Sequence, residues 1–135
     1  MNERTLALLE ESRKREKDQA FFYRQLAAQA GSAGNEALAE RLNDLHADEQ
    51  HHLSRLTARI FELDGIPAKL SSSNVPVPAL DAWEAEARSR EEAELAWYRG
   101  VLEESVDADT RDVLREIRES EEHHARELAG KWMSA

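Results

Sequence analysis

The sequence predicts an all-α protein, a four-helix bundle in which two helical hairpins are joined by a long crossover. Apolar residues recur at spacings of three and four in four separate segments, as they do on the buried face of a helix. No segment alternates apolar and polar residues as a half-buried strand does. Two connections are short, and the third is long and rich in proline and serine, which favours a bundle with one crossover.

The first hairpin is predicted to contain helices over residues 3–30 and 36–64. Residues 31–34 read Gly-Ser-Ala-Gly and form a turn, after which Asn35 is expected to cap the second helix. Gly65 is expected at the C′ position of that helix. The apolar stripe of the first helix consists of Leu6, Leu9, Ala20, Tyr23, Leu26, Ala27 and Ala30.

The second hairpin follows a connection over residues 66–78 that contains three prolines and three consecutive serines. An extended chain of that length can run along most of a 30-residue helix, at roughly 3.3 Å per residue against 1.5 Å. The third helix is predicted over residues 79–105 and the fourth over 110–133. A turn with capping residues separates them, and Trp132 is expected on the inner face of the fourth helix.

Two copies of Glu-x-x-His lie within the apolar stripes of the second and fourth helices. They are Glu49 with His52, and Glu121 with His124. Residues three apart on a helix share a face, so each carboxylate and imidazole can bind one metal ion together. The alternative is two solvated charge clusters, but the repetition and the apolar flanks favour a metal site.

The first and third helices repeat a second pattern. Glu16 is followed seven residues later by Tyr23, and Glu91 is followed seven residues later by Tyr98. Four carboxylates on core stripes would repel one another and cost several kcal/mol each if left unpaired. Two divalent cations would balance four negative charges, and two neutral imidazoles would complete the ligand set. The tyrosines are either ordinary core residues or hydrogen-bond donors to the carboxylates.

Composition limits the other classes of function. The formal net charge of −10 argues against nucleic-acid binding, and no apolar stretch is long enough for a membrane span. With no export signal apparent, the cytoplasm is the expected location. The absence of cysteine excludes thiolate-bound zinc and iron–sulfur clusters, so any metal must be held by carboxylate and imidazole.

With these motifs the sequence resembles the ferritin-like superfamily and, within it, the rubrerythrin branch, as a single domain over residues 1–135. The resemblance implies a non-haem di-iron site, although manganese uses the same ligand types. Glu16 and His52 would hold one iron, Glu91 and His124 the other, and Glu49 and Glu121 would bridge them. Tyr23 and Tyr98 match tyrosines that hydrogen-bond the ligand carboxylates.

The branch is suggested by Glu94, three residues after Glu91. In rubrerythrins an additional glutamate at this position exchanges with a histidine ligand as the redox state changes, and here the pair would be Glu94 and His52. Because the chain lacks the four cysteines of a rubredoxin domain, electrons would come from a separate protein or from Fe²⁺ itself. A storage cage is not expected, because the sequence lacks the fifth helix of cage-forming ferritins.

Three functions are compatible with this pattern. The first is a rubrerythrin-like peroxidase that reduces hydrogen peroxide with electrons from an external donor. The second is a ferroxidase, and the third is a non-catalytic interaction bundle that would bind no metal. A homodimer is also expected. Phe21, Phe22 and Trp97 are predicted to lie beside or away from the inner face, where they serve either in ordinary packing or as the dimer interface. Helix exchange through residues 66–78 is a further alternative.

Overall fold

The computed structural model describes residues 2–129 and contains four α-helices. They are α1 (Asn2–Ser32), α2 (Glu36–Glu62), α3 (Trp83–Val101) and α4 (Ala108–Ala129), with a 3₁₀ turn at Leu80–Ala82. No strand occurs among the described residues. α1 packs along α2 and α3 along α4, and the α2–α4 and α1–α3 contacts close the bundle. The predicted fold class is therefore confirmed.

The turn between α1 and α2 has the geometry that the sequence suggests. Gly34 adopts a left-handed conformation with φ of 77°, which is a common way for a helix to end. The amide of Asn35 donates to the carbonyl oxygen of Ala30 at 2.9 Å. The side-chain oxygen of Asn35 accepts from the amide of Leu38 at 3.2 Å, so its predicted role as the N-cap of α2 is confirmed.

The end of α2 differs by one residue from the prediction. Asp64, not Gly65, is the left-handed residue, with φ of 62°. Gly65 follows it, and its amide donates to the carbonyl oxygen of Ile60 at 2.9 Å. A Cβ atom at Gly65 would lie 2.9 Å from the Cδ2 atom of Leu6. Glycine is thus favoured at position 65 by close packing against Leu6 and Ile60 and not by its backbone conformation.

The connection between α2 and α3 is extended and runs along the outer surface of α1. Near its start, the amide of Ala68 donates to Glu10 at 2.8 Å. Near its end, the carbonyl oxygen of Pro78 accepts from Gln29 at 3.0 Å. These contacts lie nineteen residues apart on α1, so the connection crosses most of the length of the bundle, as predicted.

In the second hairpin, α3 is shorter than the sequence predicts, whereas α4 begins two residues earlier than predicted. α3 begins at Trp83 because residues 80–82 form a 3₁₀ turn, and it ends at Val101. Asp107 accepts a hydrogen bond from the amide of Thr110 at 3.0 Å, which caps the start of α4. Helix α4 therefore begins at Ala108, and the connection between α3 and α4 consists of residues 102–107. The predicted inner-face residue Trp132 lies outside the described residues.

The apolar core consists of two clusters separated along the bundle axis. One contains side chains near the α1–α2 turn, including Leu26, Leu42 and Leu128. The other lies toward the opposite end and includes Leu9 and Ile117. One buried glutamate from each helix lies in the layer between these two clusters: Glu16, Glu49, Glu91 and Glu121.

Phe22 was predicted to lie beside or away from the inner face, but it is fully buried within the chain. Its ring makes an edge-on contact with Tyr23, at 5.3 Å between centroids. α1 packs on α2, on α3 and on the connection, so its buried face is wider than a single stripe. Phe22 is therefore unavailable for a dimer interface, whereas Phe21 and Trp97 are half-buried, and the homodimer stays a prediction.

None of the described helices contains a stretch that is both long and apolar enough to cross a bilayer.

Candidate metal centre

Six ionisable side chains, contributed by all four helices, meet in the layer between the two core clusters. They form two groups. Within each group, every residue offers one ligand atom, and these atoms all lie within 4.8 Å of one another. The first group is Glu16, Glu49, His52 and Glu121, and the second is Glu49, Glu91, Glu121 and His124. Every member is buried. Either group could hold a metal ion, and Glu49 and Glu121 belong to both.

The two imidazoles present the same nitrogen to these carboxylates. His52 Nδ1 lies 3.0 Å from Glu16 Oε1 and 3.2 Å from Glu49 Oε1. His124 Nδ1 lies 3.2 Å from Glu121 Oε1 and 3.6 Å from Glu91 Oε2. The Glu-x-x-His spacing on α2 and α4 thus points carboxylate and imidazole at a common position, as helical geometry requires.

Two buried tyrosines hold the outer carboxylates across the α1–α3 interface. Tyr98 on α3 donates to Glu16 Oε2 at 2.6 Å, and Tyr23 on α1 donates to Glu91 Oε1 at 3.1 Å. Burial is the main cause that raises the pKa of each tyrosine well above its ordinary value, and the nearby glutamates add to it. Both phenols therefore stay protonated and act as hydrogen-bond donors.

Around these tyrosines the two halves of the chain make reciprocal contacts. Arg90 donates to Gln19 at 2.6 Å, and Gln19 in turn donates to Glu91 at 3.1 Å. In the other half, Arg15 contacts Glu94 at 3.4 Å. The internal repeat therefore includes an arginine that reaches the opposite helix in each half.

Each of these arginines also lies over an aromatic ring. The guanidinium of Arg15 is 4.5 Å from the ring centroid of Trp97, and that of Arg90 is 4.8 Å from the ring centroid of Phe22. These distances are within the range of cation–π contacts, so the two aromatic residues help to hold the arginines that flank the site.

Glu94 was predicted to be a further metal ligand, and it lies outside both groups. Its side chain is buried and pairs with Arg15. Burial raises the pKa of Glu94 to about 7, although Arg15 acts in the opposite direction. Exchange of Glu94 with His52 on a metal stays a prediction.

Asp48 is a functional candidate that the sequence did not indicate. Its carboxylate lies 2.8 Å from His124 Nε2, and its side chain is 54% exposed. A ring nitrogen beside a carboxylate carries the proton, which leaves His124 Nδ1 to face the glutamates. The corresponding residue before Glu121 is Ser120, so the internal repeat gave no signal that would distinguish Asp48 from other exposed acids.

The electrostatics of the site are unfavourable without a cation. Burial is the main cause that raises the pKa of both Glu49 and Glu121 well above the ordinary value, and the surrounding carboxylates add to it. Burial also acts to lower the pKa of His124, but the neighbouring carboxylates of Asp48, Glu121 and Glu91 outweigh it and raise the pKa to about 12. Full ionisation of these glutamates is therefore unfavourable unless positive partners are bound.

Several atoms of the cluster accept or donate no hydrogen bond within the described part of the chain. They are both carboxylate oxygens of Glu49 and of Glu121, Oε2 of Glu91 and Nδ1 of His124. Buried polar atoms are normally paired, because an unpaired one costs about 1–3 kcal/mol. All six belong to residues of the two ligand groups, so the residues fit a bound cation.

The sequence-predicted ligands are thus brought together with the exception of Glu94. Of the three other histidines, His51 and His123 are exposed. His46 is half-buried, and its Nδ1 lies 2.9 Å from the carbonyl oxygen of Ala20.

No protein-family model matches this chain, and no curated protein sequence is significantly similar to it.

Proposed function

We propose that this chain is a ferritin-like, rubrerythrin-type di-iron protein that reduces hydrogen peroxide with electrons from an external donor. The observation that carries the proposal is the pair of overlapping ligand groups, which share Glu49 and Glu121. A single-metal site needs only one such group. Two groups with common carboxylates favour two metal ions side by side, and this is the arrangement of di-iron bundles.

The donor set supports iron or manganese more than other metals. It consists of four carboxylates and two imidazoles, with no thiolate in the chain. Oxygen-rich sets of this kind suit redox-active Fe and Mn, and carboxylates stabilise the higher oxidation state electrostatically. Four ionised glutamates would balance two divalent cations, which removes the mutual repulsion that adds to the effect of burial on the pKa values of Glu49 and Glu121.

When bound, a pair of iron ions would supply two electrons, one from each ion, and with two protons these convert hydrogen peroxide to two water molecules. The chain orients the ligands through the hydrogen bonds of Tyr23 and Tyr98 to the outer carboxylates. The apolar clusters on both sides of the site limit access of water. Asp48, which is half-exposed, connects His124 with the surface and is placed to pass a proton.

The second candidate is a ferroxidase, in which Fe²⁺ is the substrate. One observation favours it: Glu94, the residue that suggests the rubrerythrin branch, pairs with Arg15 and lies outside both ligand groups. A site that uses only the six shared ligands would not depend on Glu94. Glu94→Gln should therefore slow peroxide turnover if the first proposal holds, and leave Fe²⁺ oxidation by O₂ unchanged if the second holds.

Metal stoichiometry tests the site directly. Protein loaded anaerobically with Fe²⁺ and desalted should retain about two iron ions per chain. The double variant Glu91→Ala/Glu121→Ala should lose the second ion, because it removes one bridging and one terminal ligand. Glu92→Ala/Glu119→Ala makes the same chemical change at two exposed positions and should retain both. Two tightly bound irons in the first variant would contradict the assignment.

The oxidant is tested by stopped-flow absorption of the loaded protein. A near-ultraviolet band that forms faster with peroxide than with O₂ would support the peroxidase, and the reverse order would support the ferroxidase. A chain that binds neither iron nor manganese would leave only the non-catalytic interaction bundle.

A further inference from the structure

A basic recess lies on the outer surface of α1, beneath the connection between α2 and α3. We name it the lysine recess, and its lining includes Lys14, Lys17, Lys69, Ser71 and Ser72. Its volume is about 360 Å³. All three lysines of the described part of the chain line it. Such clustering is notable in a protein with 28 acidic residues and a formal net charge of −10.

The lysines of the recess are not neutralised by the protein. Within residues 2–129, none of Lys14, Lys17 and Lys69 forms an ion pair, whereas many of the arginines do. The ammonium of Lys17 donates to the carbonyl oxygen of Leu70 at 3.3 Å, which fixes it at the wall of the recess. The one carboxylate in the lining, Asp18, already accepts from Ser73 at 2.8 Å.

Neutral hydrogen-bond donors accompany these charges. Among the described residues, the hydroxyls of Ser71 and Ser72 have no hydrogen-bond partner. The backbone amides of the lining residues 69–72 and 74 donate to no backbone oxygen of the described chain, because this part of the connection is extended. Ammonium, hydroxyl and amide donors around one concave space are the groups that bind phosphate oxygens in proteins.

A second recess adjoins the first and shares Lys17 and Ser72 with it. Its volume is about 340 Å³, and it is lined by the half-buried ring of Phe21 together with Arg24 and Gln50. It therefore combines an aromatic surface with polar groups, as sites for planar organic molecules do.

We propose that the lysine recess binds a phosphate group. The group is either free inorganic phosphate or the phosphate of a mononucleotide-sized molecule whose planar part occupies the recess beside Phe21. The concave shape favours a small anion over a protein surface, because an acidic protein would contact a flatter and larger area. The site is independent of the metal centre, although Lys17 directly follows the candidate ligand Glu16 in the sequence.

The test is a titration of isotope-labelled, chelator-treated protein, followed by amide NMR shifts. Inorganic phosphate and flavin mononucleotide are the two ligands, and chloride at equal ionic strength controls for general screening. Saturable shifts are expected at residues 14–18 and 69–73. With flavin mononucleotide, additional shifts are expected around Phe21 and Arg24, and their presence or absence distinguishes the two sources of phosphate.

The matched variants are Lys14→Gln/Lys69→Gln in the recess and Arg88→Gln/Arg126→Gln on α3 and α4. Both pairs remove two positive charges, and no ion pair is seen for either control arginine in the described structure. The recess variant should weaken phosphate binding about tenfold or more, and the control should leave it within about twofold. Equal loss in both variants, or no saturable shift with either ligand, would overturn the proposal and leave the lysines to an acidic protein partner.

Discussion

Tyr23 and Tyr98 occupy repeat-related positions, but the carboxylates that they contact differ in their other donors. Glu91 Oε1 accepts from both Tyr23 and Gln19. Within the described chain, Glu16 Oε2 accepts only from Tyr98, at 2.6 Å. A buried acceptor oxygen with a single donor is left without any hydrogen bond to offset its desolvation when that donor is removed. The two tyrosines are therefore predicted to contribute unequally to stability.

Tyr98→Phe should lower the free energy of unfolding by about 1.5–3 kcal/mol, the usual range for a hydrogen bond to a charged group. Tyr23→Phe should cost about 0.5–1.5 kcal/mol, because Gln19 still donates to Glu91. Urea denaturation of the metal-loaded proteins measures both values. Equal losses would indicate that the tyrosines contribute through packing alone.

Asp48 provides a second test at the scale of single residues. Removing it frees His124 to rotate or to change tautomer, because the bond to His124 Nε2 is lost. Asp48→Ala should therefore weaken metal binding at the His124 position about 10–100-fold. Asp44→Ala, an exposed residue one turn earlier on α2, is the matched control.

Anaerobic titration with Co²⁺ against a competing chelator measures these affinities through the visible spectrum of the bound metal. Only one of the two binding steps, the one at the His124 position, should shift in Asp48→Ala. Superimposable titration curves for the two variants would mean that His124 is held in place by packing alone.

At the scale of helices, most of the structure follows from local sequence, but the ends do not. Asn35 was predictable because an N-cap needs only its own side chain and the next turn. The left-handed residue at the end of α2 was not, because aspartate is a less usual choice than the neighbouring glycine. Gly65 is instead determined by Leu6, a contact between distant residues that no local pattern encodes.

The contact between Gly65 and α1 leads to a prediction for the α2 end. Gly65→Ala would place Cβ at 2.9 Å from Leu6 Cδ2, 3.0 Å from Ile60 Cγ2 and 3.2 Å from the carbonyl oxygen of Ile60, so these neighbours must shift. We expect a loss of about 1–3 kcal/mol of stability. Gly100→Ala is the control, because its Cβ would meet no atom within 4 Å and glycine is a poor helix former.

Differential scanning calorimetry checks this pair of variants. Gly100→Ala should raise the melting temperature slightly, in line with a gain of about 0.5–1 kcal/mol. If Gly65→Ala also raised it, the end of α2 would have more space than the structure indicates.

The site itself was largely predictable, because its ligands follow helical spacing and repeat in both halves. Six of the seven predicted ligands come together on that basis. Asp48 and the position of Glu94 could not be predicted, since each depends on which side chain of a neighbouring helix lies opposite. Asp48 faces His124 on α4, and Glu94 faces Arg15 on α1. Periodicity specifies the face of a helix, but not its partner across the bundle.

For the whole molecule, the buried glutamates make stability depend on pH in opposite ways with and without metal. The pKa values of Glu49 and Glu121 are raised mainly by burial. Above pH 4.5, the ordinary pKa of glutamate, the unfolded chain releases these protons while the metal-free folded state still holds them. His124, with its pKa raised to about 12, contributes stability that is fully present below 6.5 and is lost as the pH rises. Both effects destabilise the metal-free fold as the pH increases.

We therefore expect the melting temperature of chelator-treated protein to fall between about pH 5 and 8. Metal-loaded protein should show the opposite trend, because protons compete with the metal for carboxylates and imidazoles, and bound metal stabilises the folded state by linkage. The stabilisation by metal should consequently grow with pH.

Melting curves with and without chelator across this pH range measure that stabilisation. Glu49→Gln/Glu121→Gln should flatten the dependence of the metal-free melting temperature on pH. Parallel curves for loaded and chelated protein would show that the cluster neither stores protons nor binds metal.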